Sequence, residues 1–167
     1  HDDKVIAACS LFGVMDTEGH RFDGSMAATA IANMHDRGNG LGGGFAAYGL
    51  YPEHASQYAF HIMFLSNEAR REVKEFLAQH FRVVHHEPLP TRRSPGIFNP
   101  PQVWRYFVDL REEHHNGHPE HFAEDYIVSK VMAINTGIAD AFVFSSGRNM
   151  GVFKGVGFPE DIADYFR

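Results

Sequence analysis

Val5-Ile-Ala-Ala-Cys-Ser-Leu-Phe-Gly-Val-Met15 governs the reading of the whole chain, because it sets the single cysteine, Cys9, at the head of a short apolar run. Apolar residues over 8–15, closed by the turn cluster Asp16-Thr-Glu-Gly19, predict a short buried strand. A thiol at the start of such a strand suits an N-terminal nucleophile, in which one residue supplies the attacking group and, through its own α-amine, the base. Residues 1–8 stand before it, so the chemistry needs cleavage at Ala8-Cys9, with 1–8 a propeptide or tag remnant. The competing reading of a lone cysteine is a buried, inert packing residue.

Beyond this segment, 167 residues with 44% hydrophobic and 13% aromatic content predict one soluble globular domain over 1–167. Fifteen Lys and Arg against 21 Asp and Glu leave a formal charge of −6, and no basic stripe is present, which argues against a nucleic-acid partner. One cysteine excludes an intrachain disulfide framework and fits a reducing compartment. No apolar run approaches the roughly 18 residues of a membrane span, and His1-Asp-Asp-Lys4 is too polar for a secretory signal. The expected location is cytoplasmic, without a membrane partner.

The remaining pattern predicts alternating helices and strands. Met26, Ala30, Ile31 and Met34 form a helical stripe from Ser25 to about His35, with Asp23 or Ser25 as cap. Phe45–Tyr51 and Tyr58–Leu65 read as two strands, a hairpin or adjacent pair around Pro52. Ser66 or Asn67 caps a helix over 68–80 with Val73, Phe76, Leu77 and Phe81 on one face, and Arg82–Glu87 follows as a strand. Five of the eight prolines fall in Pro88–Pro101, an extended surface connection before a strand at Trp104–Leu110. Pro119 opens the longest helix, running to about Thr136 with Gly137 as its stop. Ala141–Ser146 and Gly151–Lys154 flank Gly147–Met150 as a hairpin, and Pro159 starts a last helix.

Several chemical alternatives are weak. Asp36-Arg-Gly-Asn-Gly-Leu-Gly-Gly-Gly44 has five glycines in nine residues, but a phosphate-binding P-loop needs Gly-Lys-Ser/Thr after them. A substrate cradle or a tight helix-to-strand turn fits better, with Arg37 either an active-site cation or a clamp on loop carbonyls. His114, His115, His118 and His121 cluster near a helix start, and His85-His86 lies on a strand, yet no metal-ligand motif such as His-Glu-x-x-His accompanies them. No metal is expected, and a solvated polar edge is the simpler reading. Arg70-Arg71 and Arg92-Arg93 read as solvated surface, and Phe60, Phe64, Phe76, Trp104, Phe107, Phe142 and Phe144 as core.

Cys9-Ser-Leu-Phe-Gly13, Asp36-Arg-Gly-Asn-Gly40 and Gly151-Val-Phe-Lys-Gly-Val-Gly157 occur in an order and spacing that resembles the class-II glutamine amidotransferases, specifically the amidotransferase domain of glutamate synthase. Gly38–Gly49 and Phe142–Gly155 look like the archaeal-type version of that domain, and the resemblance covers nearly the whole chain. It implies an α+β fold, the four-layer α-β-β-α sandwich of the Ntn hydrolases, with this chain as an incomplete N-terminal portion. Cys9 matches the family's nucleophile, and Arg37 and Gly38 match the Arg-Gly turn beside it. Ser10 stands where the family usually has glycine, and Asp36 where many members have histidine.

The family's His-x-Arg strand and Asn-Gly oxyanion turn are expected beyond the segment matched by Pro159–Arg167. Asn116-Gly117 sits in a polar turn before a helix and is a poor substitute. The implied activity is a glutaminase that releases ammonia from glutamine through a cysteinyl thioester and supplies a synthase or other ammonia-acceptor domain or subunit. In the resembled synthase, FMN and an iron–sulfur cluster reside elsewhere, so no cofactor is expected in this chain. The alternative is a non-catalytic amidotransferase-like module, structural or regulatory, in which Cys9 never gains a free amine.

Overall fold

A computed structural model describes residues 9–111 and 122–166. In chain order its elements are α1 (Ser25–Ala32), β1 (Gly43–Tyr48), β2 (Tyr58–Phe64), α2 (Asn67–His80), β3 (Phe81–Pro88), β4 (Gln102–Leu110), α3 (Phe122–Gly137), β5 (Ala141–Ser145), β6 (Met150–Gly155) and α4 (Pro159–Tyr165). The chain is α+β, with two antiparallel sheets among the described residues. One has the order β3-β4-β2-β5, and the other pairs β1 with β6. Two compact units are formed. Among the described residues, the first holds 9–45, 90–99 and 153–166, and the second 46–89, 100–111 and 122–152.

The second unit is built on the four-stranded sheet. β2 runs antiparallel to β4 with Phe60 opposite Tyr106 and Ile62 opposite Trp104. Alternation sends Tyr58, Phe60, Ile62 and Phe64 to one face, where they meet Val73 and Leu77 of α2 and Ile127 and Ile134 of α3. Burying a large aliphatic or aromatic side chain of this kind contributes about 1.5–3 kcal/mol. Ser66 caps α2 by accepting the Ala69 N–H at 3.2 Å. Asn135 of α3 reaches the backbone of β5, accepting the Val143 N–H at 2.7 Å and donating to the Val143 carbonyl at 3.0 Å. These bonds satisfy polar groups that an edge strand otherwise leaves open.

The opposite sheet face carries Ala59, His61 and Phe107, with Tyr51 laid over Ala59 and Phe107. His61 is fully buried. Its Nδ1–H donates to the Val152 carbonyl at 2.9 Å, and its Nε2 accepts the Tyr51 hydroxyl at 2.7 Å. Burial, with a smaller contribution from the Arg105 charge, pushes its pKa from 6.5 to about 4. The imidazole is therefore neutral at pH 7.

Several expectations are overturned. The strand expected at 8–15 is absent over 9–15, where Leu11 is 91% exposed and Met15 80% exposed. Among the described residues no neighbouring strand satisfies its backbone, so apolar composition alone does not make it extended sheet. Residue 8 lies outside the described residues. β1 and β2 are not a pair, because Gly49 (φ +75°) and the 3₁₀ turn Pro52–His54 redirect the chain into a different sheet. The same holds for β5 and β6. The Gly147 carbonyl is taken by Ala59 N–H at 2.9 Å and Asn149 adopts φ 48°, so the link crosses between sheets where a hairpin was expected.

Smaller departures have local causes. No residue of α1 is fully buried: Met26 is 58% exposed and Ala30 and Ile31 are half-buried, and the helix ends at Ala32 before a separate 3₁₀ turn at His35–Arg37. Ser94 is buried within the proline-rich connection, where Arg92 N–H donates to the Tyr165 carbonyl at 2.8 Å and its Nε–H to the Asp164 carbonyl at 3.0 Å. Phe142 is 42% exposed and is not core. The start of the expected helix at Pro119 lies outside the described residues.

Candidate functional site

The first unit contains residues 9–13 and 36–44, from one stretch of the chain, together with 153–157. Cys9 is exposed, on a segment with neither helix nor strand. Three residues further on, Phe12 joins Ser25, Met26, Thr29, Ala30 and Asn33 in lining an open groove of about 470 Å³. The inert, buried reading of the cysteine does not match this exposure. Among the described residues no hydrogen bond joins Cys9 to Arg37 or to the glycine-rich loop.

Arg37 ends the 3₁₀ turn His35–Arg37 and is exposed, while Gly38 is half-buried and its N–H donates to the His35 carbonyl at 2.8 Å. The glycines that follow answer a packing demand. Gly40 has φ +70°, a conformation L side chains rarely adopt, and an added Cβ would meet the Phe158 ring at 3.1 Å. A Cβ on Gly44 would strike the Phe153 carbonyl and lie 3.0 Å from Lys154 Cα. The loop thus lets β1 approach the end of β6 at backbone distance. Among the described residues no side-chain hydrogen bond joins Arg37, which is exposed, to the loop.

Sequence reasoning missed a second feature beside this turn. The His35 ring stacks on Phe158 with centroids 4.0 Å apart, and its Nδ1 is paired with the Glu160 carboxylate. The other oxygen of Glu160, Oε2, is buried without a hydrogen-bond partner. His35 and Glu160 are 125 positions apart, and each has an ordinary local explanation: a polar ring just past α1, and an acid in the first turn of α4. No sequence signal joins them.

The histidine clusters separate. His114, His115, His118 and His121, with Asn116-Gly117, lie outside the described residues. His85 pairs with Phe107 and His86 with Tyr106, so the two adjacent imidazoles project to opposite faces of the sheet. Among the described residues no group of three or more His, Cys, Asp or Glu is placed to hold a metal ion. No described helix is long and apolar enough to cross a membrane.

No protein-family model matches this chain. It is similar to an uncharacterized protein of Archaeoglobus fulgidus, with 53% identity over 167 residues and 98% of this chain covered. The chain spans 43% of that protein's length.

Proposed function

We propose that this chain is the nucleophile-bearing part of a class-II glutamine amidotransferase domain, within an Ntn-type four-layer α-β-β-α sandwich. The observation that carries the reading is the gathering of residues 9–13, the Arg37-Gly38 turn with its glycine loop, and 153–157 into one compact unit. The exposure of Cys9 is a second support, since a nucleophile must meet its substrate. In this reading the segment 9–15 becomes a strand against a neighbour from the longer polypeptide, and its unpaired backbone and exposed Leu11 and Met15 are what such pairing covers.

Cleavage of Ala8-Cys9 frees the Cys9 α-amine, which takes the thiol proton. The thiolate attacks the side-chain carboxamide carbon of glutamine, giving a tetrahedral oxyanion. Collapse expels the amide nitrogen as ammonia, with its proton returned by the α-ammonium, and leaves a γ-glutamyl thioester. Water, deprotonated by the same amine, attacks the thioester and releases glutamate and the thiol. Donors to the oxyanion contribute about 3–4 kcal/mol each in acyl-transfer sites, and in this reading they come from outside the chain, as does the grip on the glutamine carboxylate. The exposed Arg37 guanidinium is available to substrate. Ammonia passes to a synthase or other acceptor domain or subunit.

A non-catalytic amidotransferase-like module is the second reading. One observation favours it: among the described residues no base or donor is hydrogen-bonded to Cys9. Intact-mass analysis of the natural protein, quenched in acid after mixing with glutamine, separates the two. A chain beginning at Cys9 and carrying a γ-glutamyl adduct supports the nucleophile. Chains that all retain residues before Cys9 and take up no adduct support the module.

A further inference from the structure

We propose that the basic flank of α2 and the adjoining rings of β3 and β4 form a binding site for a compact phosphoryl anion, held by Arg70 and Lys74 beside the Trp104 indole and the His86 imidazole. The site lies wholly within the second unit and does not depend on what Cys9 does.

α2 segregates its charges. Arg70 and Lys74 are four residues apart and share one flank of the helix, while Glu68, Glu72 and Glu75 follow the opposite flank, where Glu68 is ion-paired with Arg71. Arg70 is half-buried, with its guanidinium carbon 4.6 Å from the centre of the Trp104 ring. Next to that ring stands His86, 5.9 Å from Trp104 and 5.4 Å from Tyr106 between ring centroids. Among the described residues neither Arg70 nor Lys74 is ion-paired, in a chain whose formal charge is −6.

This arrangement leaves donors on one flank that suit an anion. A guanidinium lying over an indole uses its face against the ring and leaves its N–H edge free to grip oxygens in a fork. Lys74 adds a second, mobile point charge on the same flank. Burial first, then the charges of Lys74, His85 and Arg70, hold the His86 pKa below its usual value. His86 is therefore neutral near pH 7, and its Nδ1 is buried without a partner. Two localised cations and a neutral imidazole match a phosphoryl dianion better than a polyanion, which the acidic remainder of the chain would repel.

Trp104 is the single tryptophan, so its fluorescence reads this site directly. The full chain is titrated with sodium phosphate at ionic strength held constant with sodium chloride. A saturable change in emission is expected, with Arg70→Gln and Lys74→Gln each weakening binding about tenfold. An Arg70→Gln/Lys74→Gln variant with wild-type circular dichroism should show none. A wild-type response equal to that of chloride, or a saturable response that survives in the folded double variant, overturns the proposal. Phosphorus-31 line broadening of inorganic phosphate by the wild-type chain needs no variant, and no broadening overturns it as well. Ribose 5-phosphate in a parallel titration separates the two sources of the group: tighter binding than inorganic phosphate assigns a phosphorylated small molecule, and weaker binding assigns the free anion.

Discussion

Replacing His61 with glutamine should turn a pH-dependent fold into one less sensitive to acid. The folded imidazole is held neutral by burial, with a pKa of about 4 against 6.5 for the free side chain. Below pH 6.5 the unfolded chain takes up a proton that the folded chain refuses until about pH 4, so stability contributed by neutral His61 is full above 6.5 and is lost as the pH falls. The gap is worth about 3 kcal/mol at 1.36 kcal/mol per pKa unit. At pH 7, His61→Gln disturbs the bonds to Tyr51 and Val152 and should cost about 1–3 kcal/mol. Urea unfolding followed by Trp104 fluorescence from pH 7.5 to 4 should show wild type more stable at the upper end and the difference shrinking toward zero or reversing at the lower end. A difference that stays constant across this range would refute the assignment of His61 as a buried neutral base.

Three other outcomes follow from the same packing. Gly44→Ala should destabilise the fold by about 1–3 kcal/mol or more, measured by the shift in urea midpoint, because the new Cβ meets the fixed Phe153 carbonyl and not a flexible side chain. Ser66→Ala removes the cap bond to Ala69 N–H and should cost about 1 kcal/mol in the same assay. Cys9→Ala should leave the midpoint within about 0.5 kcal/mol of wild type, because Cys9 is exposed on a segment outside both sheets.

The helices were legible where local chemistry decides them. Ser66 is a cap by residue type, and the spacing of Val73 and Leu77 already names the buried face of α2. Strand existence was legible too, from the β-branched and aromatic runs at 58–64 and 102–110. Strand partners were not, because proximity in sequence favours hairpins, whereas β1 and β6 leave their neighbours to pair with each other. Nothing in the sequence marks that Gly147 gives its carbonyl to Ala59 and so prevents a turn between β5 and β6. The run at 9–15 shows the converse failure, since an apolar segment needs a partner edge before its pattern becomes a strand.

Of the site, the residue types were readable and the contacts were not. Five closely spaced glycines indicated close backbone approach, and Gly40 and Gly44 supply it against Phe158 and Phe153. The pairing of His35 with Glu160 is a product of tertiary packing alone. Arg70 was read as solvated surface, and its guanidinium instead covers Trp104.

Glutamate release from glutamine by the natural full-length protein, compared with its Cys9→Ala variant, decides whether Cys9 is the nucleophile. With Cys9 as the nucleophile, wild type releases glutamate and ammonia, and the variant falls by at least about a thousandfold while keeping its urea midpoint. Equal rates in the two proteins would remove Cys9 from the chemistry.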